Sequence, residues 1–409
     1  MRICLLTYRG NMYCGGQGIY VYYLAKALHN LGHDIHVLSG PPYMTVPDGV
    51  KLHKIDGLNL YETDGLSSLG NPLQLLKPLN FYEVVATRLG MFPEIFTFSM
   101  RAYMKLRDLL AREKFDIIHD NQTLGYGMLL AKGLGAPVIA TIHHPIYIDM
   151  KADLAQARRL RSKLRRTMFY SFLIMQHLVA KRMDKVITVS KISANDTMRV
   201  FKLPQEKVRV VPNGIDTNVF RNSNHVPKEP NSVVMVGNTE DRKKGVIFLL
   251  KALQLLKDDV DVRLSIVDRR GDHTKYAPRL VEEHGLGDRV TFTGRLSVDE
   301  LVKRYSISEV AVTASVYEGF GLPCAEAMSC GTPVIATKAG ALPEIVGDDG
   351  AGILVPPEDP PALAGALKRL LADQPLRKNM GIAARKRIEE SFSWEVAARK
   401  TLEVYQEVL

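Results

Sequence analysis

Glu318 and Glu326 stand eight residues apart in the stretch Glu318-Gly-Phe-Gly-Leu-Pro-Cys-Ala-Glu326. An uninterrupted helix would separate them by about 12 Å at 1.5 Å per residue. Gly319 and Gly321 disfavour a helix in the first half. Pro323 suits a first helical turn, where its missing N–H is not needed. The spacing therefore predicts Glu318 on a loop, a helix from Pro323 to about Ser329, and Glu326 in its first or second turn. The N–H groups of Phe320, Gly321 and Leu322 would crowd at the helix start, which is a ready anion site. Two acids around a phosphate-sized pocket suit a sugar nucleotide. They suit equally a strand–loop–helix junction with two solvated carboxylates, and the spacing alone does not choose.

Other groups fall at the ends of predicted strands. Gly15-Gly-Gln-Gly18 follows the first strand, but its spacing is not the G-x-G-x-x-G of a dinucleotide site. A tight turn at positive φ explains it as well as phosphate contact does. His143, with His144 beside it, directly follows the run Val138–Ile142. Arg242, Lys243 and Lys244 precede Gly245 in a turn between a strand and a helix. A lone strand-end histidine is often structural, and a lone basic turn is usually solvated. Their joint placement at strand ends, with the two glutamates, favours a ligand site. No facing carboxylate pair of the glycosidase type is evident, and no acidic metal motif.

The elements that must hold these groups form two α/β series. The first has strands at Arg2–Thr7, Ile35–Leu38, Ile117–His119, Val138–Ile142, Val186–Val189 and Val208–Val211, with a helix over Ile19–Leu31 and another over Met100–Leu110. Pro212-Asn-Gly-Ile-Asp216 is turn chemistry, and the domain boundary is placed there. The second has strands at Val233–Val236, Val262–Val267, Val290–Phe292, Val310–Thr313, Val334–Ala336 and Ile353–Val355, alternating with helical runs. Short apolar strands alternating with helices predict parallel sheets, and hence two doubly wound domains facing one another across a deep cleft. The expected domains are 1–212 and 213–393. Ligands of such folds bind at the carboxyl ends of the strands.

The 409 residues exceed one ordinary core, and 46% apolar with 24% charged is a soluble globular composition. No run nears the roughly 20 apolar residues that span a bilayer, and the N-terminus has no signal-peptide pattern. Cys4, Cys14, Cys324 and Cys330 show no metal or disulfide spacing, which points to a reducing cytoplasm. The net charge of +10 is concentrated: residues 151–185 hold ten Lys or Arg against two Asp, a net of +8. Residues 153–183 read as one long helix or a broken pair, with an apolar stripe through Leu160, Leu164, Met168, Phe172, Met175 and Val179. A stripe packed on the sheet with a solvated basic face is one reading. A surface helix on anionic lipid, through Arg158, Arg159, Arg161, Lys163, Arg165 and Arg166, is the other. Residues 41–100 are apolar but broken by prolines, and could cover the sheet or form an acceptor groove.

The ordered motifs resemble those of the family 4 glycosyltransferases, a retaining class with the GT-B fold. The resemblance is carried by Gly15-Gly16, Val186-Ile-Thr-Val-Ser190, Val211-Pro-Asn-Gly-Ile-Asp216, Val236-Gly237 through Lys244-Gly245, Glu318–Glu326, Ala327-Met-Ser-Cys-Gly-Thr-Pro-Val334 and Leu342-Pro-Glu-Ile345. It implies two Rossmann-like domains, the N-terminal one completed by a C-terminal helix over 394–409. It implies a UDP- or GDP-sugar donor as substrate, with no metal or cofactor. By the resemblance, Lys244, with Lys243 or Arg242, and the helix start at Phe320–Leu322 bind the donor diphosphate. Gly16 and Gly237 let backbone approach the donor, Glu326 takes the ribose hydroxyls, Glu318 holds the transferred sugar, and His143 contacts the sugar or reacting centre. Asn238 stands where the family often has Arg. Asp268 stands where it usually has Gly, which places an acid near the expected base. The expected activity is hexosyl transfer to a lipid or glycan acceptor, in glycan or glycolipid biosynthesis. It is expected in the cytoplasm, peripheral on the inner face of the cell membrane, with no nucleic-acid partner. A soluble enzyme making a small glycoside or glucan, or a non-catalytic nucleotide-binding protein of the same fold, are the alternatives.

Overall fold

The computed structural model describes residues 1–11, 16–60, 72–157, 159–222, 226–268 and 276–409. They form two compact units, Met1–Pro212 with Ala397–Leu409, and Asn213–Val396. Each unit is a parallel β-sheet flanked by helices, the arrangement of the two Rossmann-like domains of a GT-B fold.

The first unit holds strands β1 (Arg2–Thr7), β2 (Asp34–Ser39), β3 (Lys51–Lys54), β4 (Ile117–Asn121), β5 (Val138–Ile142), β6 (Val186–Thr188) and β7 (Val208–Val210), in the order β3-β2-β1-β4-β5-β6-β7. Every pair is parallel. Helices cover both faces, so the inner strands are apolar throughout: Ile3, Leu6, Ile35, Val37, Ile118 and Val138 are all fully buried. The second unit holds β8 (Ser232–Val236), β9 (Arg263–Val267), β10 (Val290–Phe292), β11 (Val310–Thr313), β12 (Val334–Thr337) and β13 (Gly352–Val355), in the order β10-β9-β8-β11-β12-β13. Both orders reverse direction once, between β1 and β4 and between β8 and β11. Those reversals are the switch points where open α/β sheets leave a crevice at their carboxyl edge.

Prolines within residues 41–100 begin helices where the sequence predicts interruptions. Pro78 opens the helix Pro78–Arg88, and Pro93 is the N-cap of the helix Glu94–Leu110. Proline is tolerated there because no intrahelical partner awaits its N–H. The long helix or broken pair expected over 153–183 is instead three helices, Ile146–Gln156, Leu160–Phe169 and Phe172–Ala180. Its stripe is divided accordingly. Phe172, Met175 and Val179 are buried in the core, while Leu160 is 82% and Leu164 61% exposed.

The last helix, Trp394–Gln406, brings the chain back to the first unit. Tyr405 is fully buried there, and its hydroxyl meets His119 Nδ1 at 2.7 Å. His119 Nε2 meets Thr141 Oγ1 at 2.7 Å, and Tyr20 Oη lies 3.3 Å from the same hydroxyl. A buried polar chain thus runs through β4, β5 and the first helix to the C-terminal helix. At the surface, Arg209 grips both Glu407 oxygens at 2.7 Å, and Lys185 adds an ion pair at 2.6 Å. Tyr405→Phe leaves a buried imidazole nitrogen without its partner, which costs about 1–3 kcal/mol. Thermal denaturation should show a midpoint lowered by several degrees. An unchanged midpoint would mean that Tyr405 contributes packing only.

Candidate functional site

In the second unit, the segments leaving β8 and β11 meet at the switch point. Lys244 Nζ donates to both Glu318 oxygens, at 3.1 and 2.9 Å, and Ser315 Oγ donates to Glu318 Oε2 at 3.0 Å. The backbone explains how the two loops come so close. Val316 N–H donates to the Lys243 carbonyl at 2.7 Å. Gly245 has φ +67°, and a Cβ on it would lie 1.9 Å from the Ala314 carbonyl oxygen. Gly340, at φ +56°, leaves room in the same way for the Glu318 carbonyl, 2.0 Å from where its Cβ would be. Only glycine satisfies both the dihedral and the approach at these positions.

The helix that follows runs Leu322–Ser329, with Gly321 as N-cap at φ +105° and Pro323 in the first turn. The N–H groups of Phe320, Gly321 and Leu322 make no hydrogen bond among the described residues. Glu318 lies against this start: a Cβ on Gly321 would be 3.3 Å from Glu318 Cγ. An ammonium and three unpaired N–H groups at one sheet edge form an environment for a diphosphate-sized anion. Glu326 falls in the second turn. It is buried, not solvated, and its Oε2 accepts from Tyr305 Oη at 3.1 Å.

Arg242 and Lys243 lie on the same turn as Lys244 but are exposed, and the Arg242 guanidinium packs on the Tyr276 ring, 5.4 Å from its centroid. Asp268 is buried and accepts from both the N–H and the hydroxyl of Thr239, at 2.9 and 2.5 Å. It ties the end of β9 to the turn after β8. Gly237 N–H donates to the Val267 carbonyl at 3.0 Å, and Asn238 Oδ1 accepts from Glu240 N–H at 3.2 Å. Asn238 shapes the turn where an arginine would have added charge.

In the first unit, the segments leaving β1, β4 and β5 gather at the other switch point. Gly16 is the N-cap of the helix Gln17–Asn30, at φ +73° with open space where a Cβ would be. Gly18 serves packing: a Cβ there would meet the Asn11 carbonyl oxygen at 2.5 Å. Asn121 Nδ2 donates to the Gln17 carbonyl at 3.3 Å, which turns its Oδ1 toward His143 Nε2 at 2.7 Å. His143 therefore carries its proton on Nε2 and keeps Nδ1 as an acceptor. Its ring stands edge-on to Tyr20, with centroids 4.6 Å apart. Gln122, at φ +56°, accepts from the His143 N–H and donates to the His144 carbonyl, both at 2.8 Å. His144 Nε2 lies 3.2 Å from Asp149 Oδ2. The two histidines thus part: His143 faces the glycine turn's helix, and His144 the helix Ile146–Gln156. Asn121, Gln122, Ser315 and Tyr305 are absent from the sequence reading. The signal for the first pair is the polar run His119-Asp-Asn-Gln-Thr123, all buried, directly after two isoleucines.

Residues 216–387 match the family described as Glycosyl transferases group 1, and residues 14–219 match Glycosyltransferase Family 4. The MMP α-(1→4)-mannosyltransferase of Mycolicibacterium hassiacum is 39% identical, over 100% of this chain and 98% of that one. The chain belongs to the group 1/family 4 glycosyltransferases. It is accordingly a nucleotide-sugar-dependent glycosyltransferase. The D-inositol 3-phosphate glycosyltransferase of Corynebacterium diphtheriae is 26% identical, over 96% of this chain and 89% of that one. Among solved structures, sucrose-phosphate synthase of Thermosynechococcus elongatus shares the fold, with a TM-score of 0.74 at 24% identity, over 99% of this chain and 98% of that one. The Anabaena protein HepE, solved with UDP and glucose, shares it with a TM-score of 0.70 at 18% identity, over the full length of both chains (100%).

Other predicted positions of the glycosyltransferase are placed as follows. Gly15 and Arg158 lie outside the described residues. Arg159, Arg161, Lys163 and Arg165 are exposed, whereas Arg166 turns inward and donates to the Asp153 carbonyl. Among the described residues, no group of three or more His, Cys, Asp or Glu side chains is placed to hold a metal ion. Among them also, no helix is long and apolar enough to cross a membrane.

Burial sets the titration of the first unit's polar cluster. It lowers His119 to about 3 and His143 to about 4, so both are neutral at pH 7. It raises Asp120, at the end of β4, to about 6. A histidine lowered in the folded state takes its proton first in the unfolded chain, so stability present above about pH 6.5 is lost as pH falls. Asp120 acts oppositely, gaining its proton in the folded state first. Two histidines against one aspartate leave a net loss of about 2 kcal/mol between about pH 7.5 and about pH 5.5. His33, His36, His53 and His177 are lowered by burial too and add in the same direction. Denaturant unfolding across this range should show stability falling with acidification. A flat or rising profile would contradict the neutral assignment of His119 and His143.

Proposed function

We propose that the enzyme is a retaining hexosyltransferase that moves mannose from a UDP- or GDP-linked donor to a glycan acceptor. The observation that carries the donor half is the Lys244–Glu318 pair beside the unpaired N–H groups of Phe320, Gly321 and Leu322. As the bond between sugar and diphosphate breaks, negative charge grows on the leaving phosphate. Lys244 and the helix start are already aimed where that charge develops, so they stabilise it without reorganisation. Arg242 and Lys243, exposed on the same turn, raise the local positive potential, and Gly237 lets the backbone approach. Glu318, oriented by Ser315 and Lys244, accepts hydroxyls of the transferred sugar. Glu326, braced by Tyr305, accepts the ribose hydroxyls. Gly16 leaves space for donor at the first unit's edge. His143, neutral and with Nδ1 as acceptor, takes a sugar hydroxyl; it is not a source of positive charge. Retention, by attack from the face the leaving group departs, follows from the family 4 resemblance carried by Glu318–Glu326. The choice of mannose rests on the 39% identical relative, named as an α-(1→4)-mannosyltransferase.

Thermal shift against UDP-, GDP-, ADP- and dTDP-sugars tests the donor. One nucleotide sugar should stabilise the protein, by about 2.7 kcal/mol at a hundredfold excess over its Kd. Lys244→Ala and Glu326→Ala should each weaken that donor about tenfold or more, since each removes a charged hydrogen-bonding group. Unchanged affinity in both variants would refute the site.

A second reading, a lipid acceptor used at an anionic membrane surface in the cytoplasm, is favoured by one observation. Leu160 and Leu164 face solvent on one side of their helix, between Arg159, Arg161 and Lys163. Phe81 (60%) and Leu89 (58%) are also exposed on the helix Pro78–Arg88 and its end. Apolar side chains flanked by arginines suit an interfacial helix. Vesicle flotation should then show binding to anionic but not neutral lipid, lost in Leu160→Asp/Leu164→Asp. Equal binding to both lipids, or none, would leave the soluble-acceptor reading.

A further inference from the structure

A cavity of about 720 Å³ lies within the first unit, between the turn 87–94 and the helices Ile146–Gln156 and Leu160–Phe169. Its size falls in the range of small-molecule sites, about 300–1,000 Å³. One wall is aromatic. Phe92 and Phe169 have centroids 5.5 Å apart, and Phe169 and Tyr170 5.1 Å, and all three rings are only partly buried. The rest is polar, and most of it is already anchored. Tyr170 Oη donates to Asp153 Oδ2 at 2.6 Å, and Arg166 donates to the Asp153 carbonyl. Glu94 is gripped by Arg9 at 2.6 Å, and that guanidinium sits 5.4 Å from the Phe92 ring centroid. Arg165 also lines the cavity, and its guanidinium makes no hydrogen bond or ion pair among the described residues.

The charges decide what fits. Arg9 offsets Glu94 and Arg166 lies beside Asp153, so the described charges sum to a single positive one, at Arg165, too little to select a polyanion. A hydrocarbon chain would desolvate four charged groups without giving hydrogen bonds in return. A pyranose offers an apolar C–H face for the rings and hydroxyls for the carboxylates and guanidinium. Arg9 lies two residues beyond β1, and Asp153 is on the helix that begins three residues after His143. The wall that carries Asp153 therefore follows the same strand as His143, and the Arg9 that holds Glu94 follows β1. We infer that this cavity is a carbohydrate subsite of the acceptor, with Phe169 and Tyr170 as the stacking platform and Arg165 as the hydroxyl-binding group. The inference rests on the glycan-acceptor reading above and names its binding surface.

Calorimetric titration of the full-length enzyme with α-(1→4)-linked mannotetraose tests it, with the nucleotide-sugar thermal shift run beside it. Wild-type enzyme should bind the tetraose. Arg165→Ala should weaken it about tenfold or more, the loss of a hydrogen bond to a charged group, and Phe169→Ala should weaken it further. The donor-induced thermal shift should persist in both, which shows that they fold. Tetraose binding unchanged in both variants overturns the assignment. So does a wild-type enzyme that binds donor but neither mannotetraose nor maltotetraose, which leaves the donor site standing. Absence of any donor shift in the wild type overturns the proposed function, and this subsite with it.

Discussion

Parallel pairing forces every strand of a sheet to end at the same edge. A sheet that winds outward in both directions also leaves two neighbouring strands whose following segments depart to opposite sides. In this chain those neighbours are β1 with β4, and β8 with β11. Nearly every group with chemical potential sits at their carboxyl ends or on the segments beyond: Gly16 and Asn121 in one unit, Lys244 and Glu318 in the other. The sites follow from topology first and side-chain identity second.

The same constraint explains what was legible. Strands buried on both faces must be apolar throughout, so they stand out as short Val/Ile/Leu runs. The glutamate stretch was readable because glycine and proline have few backbone options. The conformational need of Gly321 and the helix-opening role of Pro323 are written in their types. The pairing of Lys244 with Glu318 was not readable, since it spans 74 residues and depends on Gly245 and Gly340 admitting backbone at van der Waals contact. The partner of Asp268 was hidden for a related reason. Sequence shows an acid at a strand end but not the threonine whose N–H and hydroxyl both meet its Oδ2. The prolines of 41–100 were misread because proline marks a helix start as readily as a break. The apolar stripe over 160–179 was half wrong because periodicity reports a helix face, not what covers it.

Electrostatically the two units contrast. The second holds its ions as a close, partly solvated pair, so charge is present and waiting. The first buries its ionisable groups so deeply that His119 and His143 are neutral and Asp120 is easily protonated. One edge is built to meet charge and the other to offer directional hydrogen bonds.

The return of the final helix also bears on synthesis. The chain leaves the first unit at Pro212 and re-enters it only at Ala397. Emerging from a ribosome, this unit has all its strands while almost half the polypeptide is still to come. Yet His119 then has no Tyr405, and Arg209 and Lys185 have no Glu407. The first unit cannot complete its polar core until Tyr405 and Glu407 have been made, after the whole of the second unit. A chain stopped at Val396 would lack the piece that closes its beginning.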